Sequence, residues 1–125
     1  MRESAHQKAL FEWAAYNVSH YPALAMLYAI PNGGRRDAIT GARLKAEGVK
    51  AGVPDIALPV PNECYHGLYI EMKIRDKRKA RVSPAQKKWI DDLRGWGYCA
   101  CICYGWEDAR NVIVAYLRDV EISHF

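Results

Sequence analysis

The stretch Leu68-Tyr-Ile-Glu-Met-Lys-Ile74 alternates strictly: Leu68, Ile70, Met72 and Ile74 fall on one face of an extended chain, and Tyr69, Glu71 and Lys73 on the other. That pattern predicts a β-strand with one apolar face to be covered and one face on which a carboxylate and an ammonium stand side by side. The flanking sequence supplies its partners. Upstream, Ile56-Ala-Leu-Pro-Val60 reads as a strand whose Pro59 marks an edge or an early end. The loop Pro61-Asn62-Glu63 turns the chain back, so these two strands run antiparallel. Downstream, Ser83-Pro84-Ala85-Gln86 has the form of a helix start: a Ser cap, Pro at the first helical position and Gln three residues beyond the cap. Trp89, Ile90 and Leu93 give that helix its apolar stripe, and Gly95 or Gly97 stops it. The run Tyr98 to Tyr104 is then a third strand, and the helical crossover makes it parallel to the second.

Outside this core, residues 3–18 read as a helix, with Ala9, Leu10, Trp13, Ala14 and Val18 at helical spacing and Tyr21-Pro22 ending it. A short extended piece from Tyr28 meets the turn signal Asn32-Gly33-Gly34. A short helix over Ala38 to Ala46 is stopped by Gly48, and a last helix runs from Glu107 to Leu117 on an Ala109, Val112, Ile113, Tyr116, Leu117 stripe. The expected fold is α/β, a small mixed sheet flanked by helices.

The chain has 125 residues, enough for one core, and residues 1–125 are read as a single domain. No apolar run reaches the roughly 18 residues of a membrane helix and no signal peptide opens the chain, which predicts a cytoplasmic protein. Of the 4 cysteines, Cys99, Cys101 and Cys103 would share one strand face, a row too extended to close a tetrahedral metal site by itself. They read as buried, reduced cysteines acting as small hydrophobes, and the spacing of His20, His66 and His124 suggests no ligand set. Trp13, Trp89, Trp96 and Trp106 read as core or dimer contacts rather than base-stacking platforms.

The formal charge is +4, from 18 Lys+Arg against 14 Asp+Glu. Its distribution is uneven. From Lys73 to Lys88 there are eight basic residues against one acid, Asp76, and Arg35, Arg36, Arg43, Lys45 and Lys50 form a second basic stretch. A polyanionic partner fits such asymmetry, although charge runs are more often simply solvated faces.

Pro54-Asp55 stands sixteen positions before Glu71. Asp55 opens the first strand, and antiparallel pairing brings its carboxylate to the end of the second strand where Glu71 and Lys73 project. Two carboxylates and a lysine then converge, with the Met72 backbone carbonyl between them as a further oxygen donor. Phosphodiester hydrolysis needs such a set: hard oxygen ligands for a divalent ion, and a cation near the nucleophile. A lone Glu-x-Lys in a strand is mostly a solvated pair, and the upstream Pro-Asp and the basic segment after it favour the catalytic alternative.

Pro54-Asp55 with Glu71-Met72-Lys73 resembles the PD-(D/E)XK nuclease core. Asn32-Gly33-Gly34, Lys45 to Gly48, Gly52-Val-Pro-Asp55, His66-Gly67-Leu68, Ser83 with Gln86, and Gly97-Tyr98 narrow the resemblance to the VRR-NUC family of virus-type replication and repair nucleases, in particular its small stand-alone phage-like members. The resemblance implies a restriction-endonuclease-like core and a Mg²⁺ or Mn²⁺ dependent endonuclease. Asp55 and Glu71 would be metal ligands, Lys73 the catalytic lysine and Gln86 a further site residue. It implies an acid on the first helix, Glu3 with Gln7 beside it, or Glu12. It also implies a homodimer acting on branched DNA such as a Holliday junction, in the host cytoplasm if the protein is phage-encoded. Arg35, Arg36, Arg75, Lys77, Arg78, Lys79 and Arg81 would grip phosphates without reading bases. One departure stands out: Ala29-Ile30 occupy the place where a His is expected before Pro31. Two other readings compete, a non-catalytic module that binds branched DNA and a nuclease that prefers a sequence or cuts RNA.

Overall fold

The computed structural model describes residues 1–31, 38–122 and 124. In chain order the elements are α1 (Glu3–Asn17), a 3-10 turn (Pro22–Met26), β1 (Tyr28–Ala29), α2 (Ala38–Ala46), β2 (Ile56–Leu58), β3 (Leu68–Lys73), α3 (Pro84–Gly95), β4 (Cys99–Tyr104) and α4 (Trp106–Leu117). The four strands form one sheet in the order β1-β2-β3-β4. β2 runs antiparallel to β3 with Ile56 opposite Ile70, and β3 runs parallel to β4 with Glu71 opposite Ile102. β2 is paired on both sides, so Pro59 marks the end of a strand and not an edge.

The apolar face of β3 meets α1 and α4. Leu68, Ile70 and Met72 pack with Leu10, Ala14, Val112, Ile113 and Tyr116 in one core that also takes in Cys99, Cys101 and Cys103. Each fully buried aliphatic side chain there contributes about 1.5–3 kcal/mol. Cys64 is exposed, and all four cysteines are free thiols.

The opposite face of the sheet meets α3. Ser83 caps this helix in a complete capping box with Gln86. Its far end closes at Gly97, whose φ of +93° is open to glycine and strained for other residues, and a Cβ there would stand 2.7 Å from the His66 ring. Of the core and dimer-contact roles expected of the tryptophans, Trp96 does not take the core one, since it is 78% accessible just after α3. Among the described residues no helix is long and apolar enough to cross a membrane.

Candidate active site

Antiparallel pairing, with Ile56 opposite Ile70, carries the end of β3 past the start of β2, and there the three key side chains meet. Asp55 lies immediately before β2, and its Oδ2 accepts a hydrogen bond from the Met72 N–H at 2.8 Å. A strand residue turns its N–H and C=O to the same side, so the Met72 carbonyl also points toward Asp55. Glu71 Oε2 lies 3.5 Å from Lys73 Nζ. This is no solvated surface pair, because Glu71 is 2% exposed and Lys73 4%. Strand alternation alone puts these side chains on a face that water could wet. The cover comes from α3.

α3 is fixed over the site by two contacts. Trp89 Nε1 donates to the Ala51 carbonyl at 3.1 Å. Gly52, at φ +86°, lets the backbone of the loop before Asp55 pass against Ala85: an added Cβ would sit 2.6 Å from the Ala85 carbonyl carbon. The first turn of α3 is thereby clamped to the segment that carries Pro54-Asp55. Gln86, in that turn, does both things the sequence allowed. Its Oε1 accepts from the Ser83 N–H at 2.9 Å, and its Nε2 donates to Glu71 Oε2 at 3.2 Å.

The other Glu71 oxygen, Oε1, is buried with no hydrogen-bond partner. Such an orphaned acceptor costs about 1–3 kcal/mol or more unless something fills the gap. Burial, followed by the charge of Asp55, pushes the Glu71 carboxyl up to about 8, with Lys73 pulling it the other way. Two carboxylates that repel each other around one unsatisfied oxygen call for a shared proton or a cation between them. An all-oxygen donor set of Asp55, Glu71 and the Met72 carbonyl suits a hard divalent ion, so the residues present fit one.

Of the side chains expected from α1, Glu3 and Glu12 are exposed and Gln7 is half-buried. The polar group that α1 buries is His6, 1% exposed, which no motif pointed to. Its Nδ1 accepts from the Trp106 N–H at the start of α4 at 3.1 Å. Burial and the nearby Arg75 lower its pKa, partly offset by Glu107. The available signal was its place in the stripe His6, Leu10, Ala14, four residues apart each time.

The basic loop after β3 is organised by its single acid. Asp76 accepts from the Arg78 N–H through Oδ1 at 3.0 Å, and its carbonyl accepts from the N–H groups of Lys79 and Ala80. Arg75 is drawn into a two-pronged pair with Glu107, at 2.7 and 2.8 Å. Lys77 lies over the Tyr104 ring at 4.9 Å, and Arg81 donates to the Arg78 and Ala80 carbonyls. Arg35 and Arg36, with the Asn32-Gly33-Gly34 turn, lie outside the described residues.

The family model described as VRR-NUC domain matches residues 1–107. A solved structure described as a VRR_NUC domain protein is similar with a TM-score of 0.81 at 28% sequence identity, over 97% of this chain and 92% of that chain. No curated protein matches.

Proposed function

The chain belongs to the VRR-NUC domain family, a nuclease-type family acting on DNA, and from that premise we propose that it is a Mg²⁺ or Mn²⁺ dependent endonuclease that hydrolyses phosphodiester bonds in branched DNA. The observation that carries this reading is the buried, unpartnered Glu71 Oε1 beside Asp55 and Lys73. Asp55, Glu71 and the Met72 carbonyl would hold the ion. When bound, it supplies positive charge to the scissile phosphate and makes attack by water feasible near neutral pH.

The protein's own groups do the remaining work. The Met72 N–H fixes the Asp55 carboxylate, and Gln86 fixes one oxygen of Glu71 while leaving the other free. Lys73 lies within ion-pair distance of Glu71, where its ammonium orients and polarises the attacking water. The loop from Lys77 to Arg81 offers cations to the phosphate backbone. One compact site per chain and cleavage of two strands fit a homodimer.

The test is a panel of duplex, flap, splayed and four-way DNA, with RNA alongside, incubated with Mg²⁺ or Mn²⁺. Cleavage of at least one branched DNA is expected, falling about 100-fold or more in Asp55→Asn and Lys73→Ala, with far-UV circular dichroism unchanged. Full activity in either variant would remove the assignment. Tight binding of branched DNA with no cleavage would leave a binding module in its place.

A further inference from the structure

We propose that Cys103, Asp108 and His124 form a second metal site, suited to a borderline-soft divalent ion such as Zn²⁺, which fastens His124 to β4 and α4. Their candidate ligand atoms, one from each residue, all lie within 4.8 Å of one another. They come from three separate pieces of chain: the end of β4, the first turn of α4 and the segment that follows α4. Asp108 and His124 lie beyond the residues matched by the family model. The site is therefore independent of the Asp55 and Glu71 reading.

Each member is held or left wanting in a way that a metal explains. Asp108 Oδ2 accepts from the Tyr104 N–H at 2.9 Å, which fixes the carboxylate, and Oδ1 lies 2.7 Å from His124 Nε2. The other imidazole nitrogen, Nδ1, is buried with no partner. The His124 carbonyl accepts from Arg94 Nη2 at 3.2 Å, so its backbone is tied down as well. Cys103, at the end of β4, is 0% exposed.

Zinc bonds to sulfur, nitrogen and oxygen of about 2.0–2.3 Å place tetrahedral ligand atoms roughly 3–4 Å apart. The three donors need only small shifts to reach that spacing. A thiolate and an imidazole favour zinc over magnesium, the reverse of the all-oxygen set around Glu71. The sulfur–metal bond forms as the Cys103 proton leaves to solvent. Cys, His and Asp also serve as a nucleophilic triad elsewhere, but a thiol buried this deeply meets no substrate. A plain Asp108–His124 ion pair is the competing explanation.

The experiment titrates the metal-free full chain with Co²⁺ alone as a spectroscopic stand-in, then displaces it with Zn²⁺. One equivalent should give a thiolate-to-cobalt charge-transfer band and tetrahedral visible bands, both lost on adding Zn²⁺. Cys103→Ser should abolish the charge-transfer band, and His124→Ala and Asp108→Asn should each weaken binding about tenfold or more. Asp55→Asn should leave the bands unchanged, which separates this site from the proposed nuclease centre. No charge-transfer band in the wild-type protein overturns the proposal, as does a band that persists in Cys103→Ser. Should Cys103→Ser fail to fold, His124→Ala decides, because that side chain is 26% exposed and its truncation spares the core; unchanged affinity there equally overturns the site.

Discussion

Gln86 Nε2 and Glu71 Oε2 lie 3.2 Å apart, and the same Gln86 side chain closes the capping box of α3 through its Oε1. One amide thus starts a helix and steadies the buried Glu71 carboxylate. Gln86→Ala should cost about 1 kcal/mol through the lost cap. Gln86→Glu keeps a capping acceptor but sets a third carboxylate against Glu71, so it should retain more stability than the Ala variant while metal-dependent cleavage falls about tenfold or more. Urea denaturation and a cleavage assay check the two halves separately. Wild-type cleavage by Gln86→Glu would take Gln86 out of the site.

Glu71 holds its proton up to about 8 in the metal-free fold, against an ordinary 4.5. A raised carboxyl pKa contributes stability that is complete below the unfolded value and is lost as pH rises toward the folded one. The metal-free protein should therefore lose on the order of several kcal/mol between pH of about 4.5 and about 8, at about 1.4 kcal/mol per unit. Subtracting the profile of Glu71→Gln isolates this component. Mn²⁺ should restore stability at the upper end, where the carboxylate is ionised, and not in Asp55→Asn. Parallel profiles for the wild type and Glu71→Gln would contradict the assignment.

Gly52 is the contact through which the loop before Asp55 meets α3. Gly52→Ala combines a positive φ with a Cβ 2.6 Å from the Ala85 backbone, and should cost about 2 kcal/mol or more. The strain is released by moving α3 away, so Glu71 should lose its cover and the intrinsic fluorescence of Trp89 should shift. A neutral substitution with unchanged fluorescence would show the clamp to be unimportant.

In DNA binding, Arg78 and Lys79 should act as plain phosphate contacts. Replacing both with Ala should weaken binding evenly across sequences and lower the slope of log affinity against log salt by about 2. Arg75 is held by both Glu107 oxygens at 2.7 and 2.8 Å, a closer pair than the 3.4 Å contact of Arg78 with Asp76, so Arg75→Ala should change the slope by less than either of the other two. Fluorescence anisotropy over a salt series reads all three. A larger slope change for Arg75 would mean that DNA breaks the Arg75–Glu107 pair.

Local patterns carried most of the fold. The alternation of β3, the Ser83 cap, the stop at Gly97 and the bounds of α2 can all be read from neighbours a few residues apart. The meeting of Asp55 with Met72, Glu71 and Lys73 was also accessible, because an antiparallel connection fixes which strand ends coincide. The burial of Glu71 and Lys73 was not, since it depends on how α3 lies across the sheet and alternation says only which face they share. His6 escaped notice because a histidine in an apolar stripe looks like a surface residue until α4 supplies the Trp106 N–H.

β4 forms one margin of the sheet, and its sequence, Cys99-Ala-Cys-Ile-Cys-Tyr104, has no charge and no proline, the composition that adds a foreign strand most readily. Arg94 stands guard over that ladder: Nε donates to the Ala100 carbonyl at 3.0 Å and Nη2 to the His124 carbonyl. The other margin is β1, only 2 residues long. Among the described residues both margins are blunted, and losing the Arg94 guanidinium would bare the β4 ladder and favour concentration-dependent aggregation.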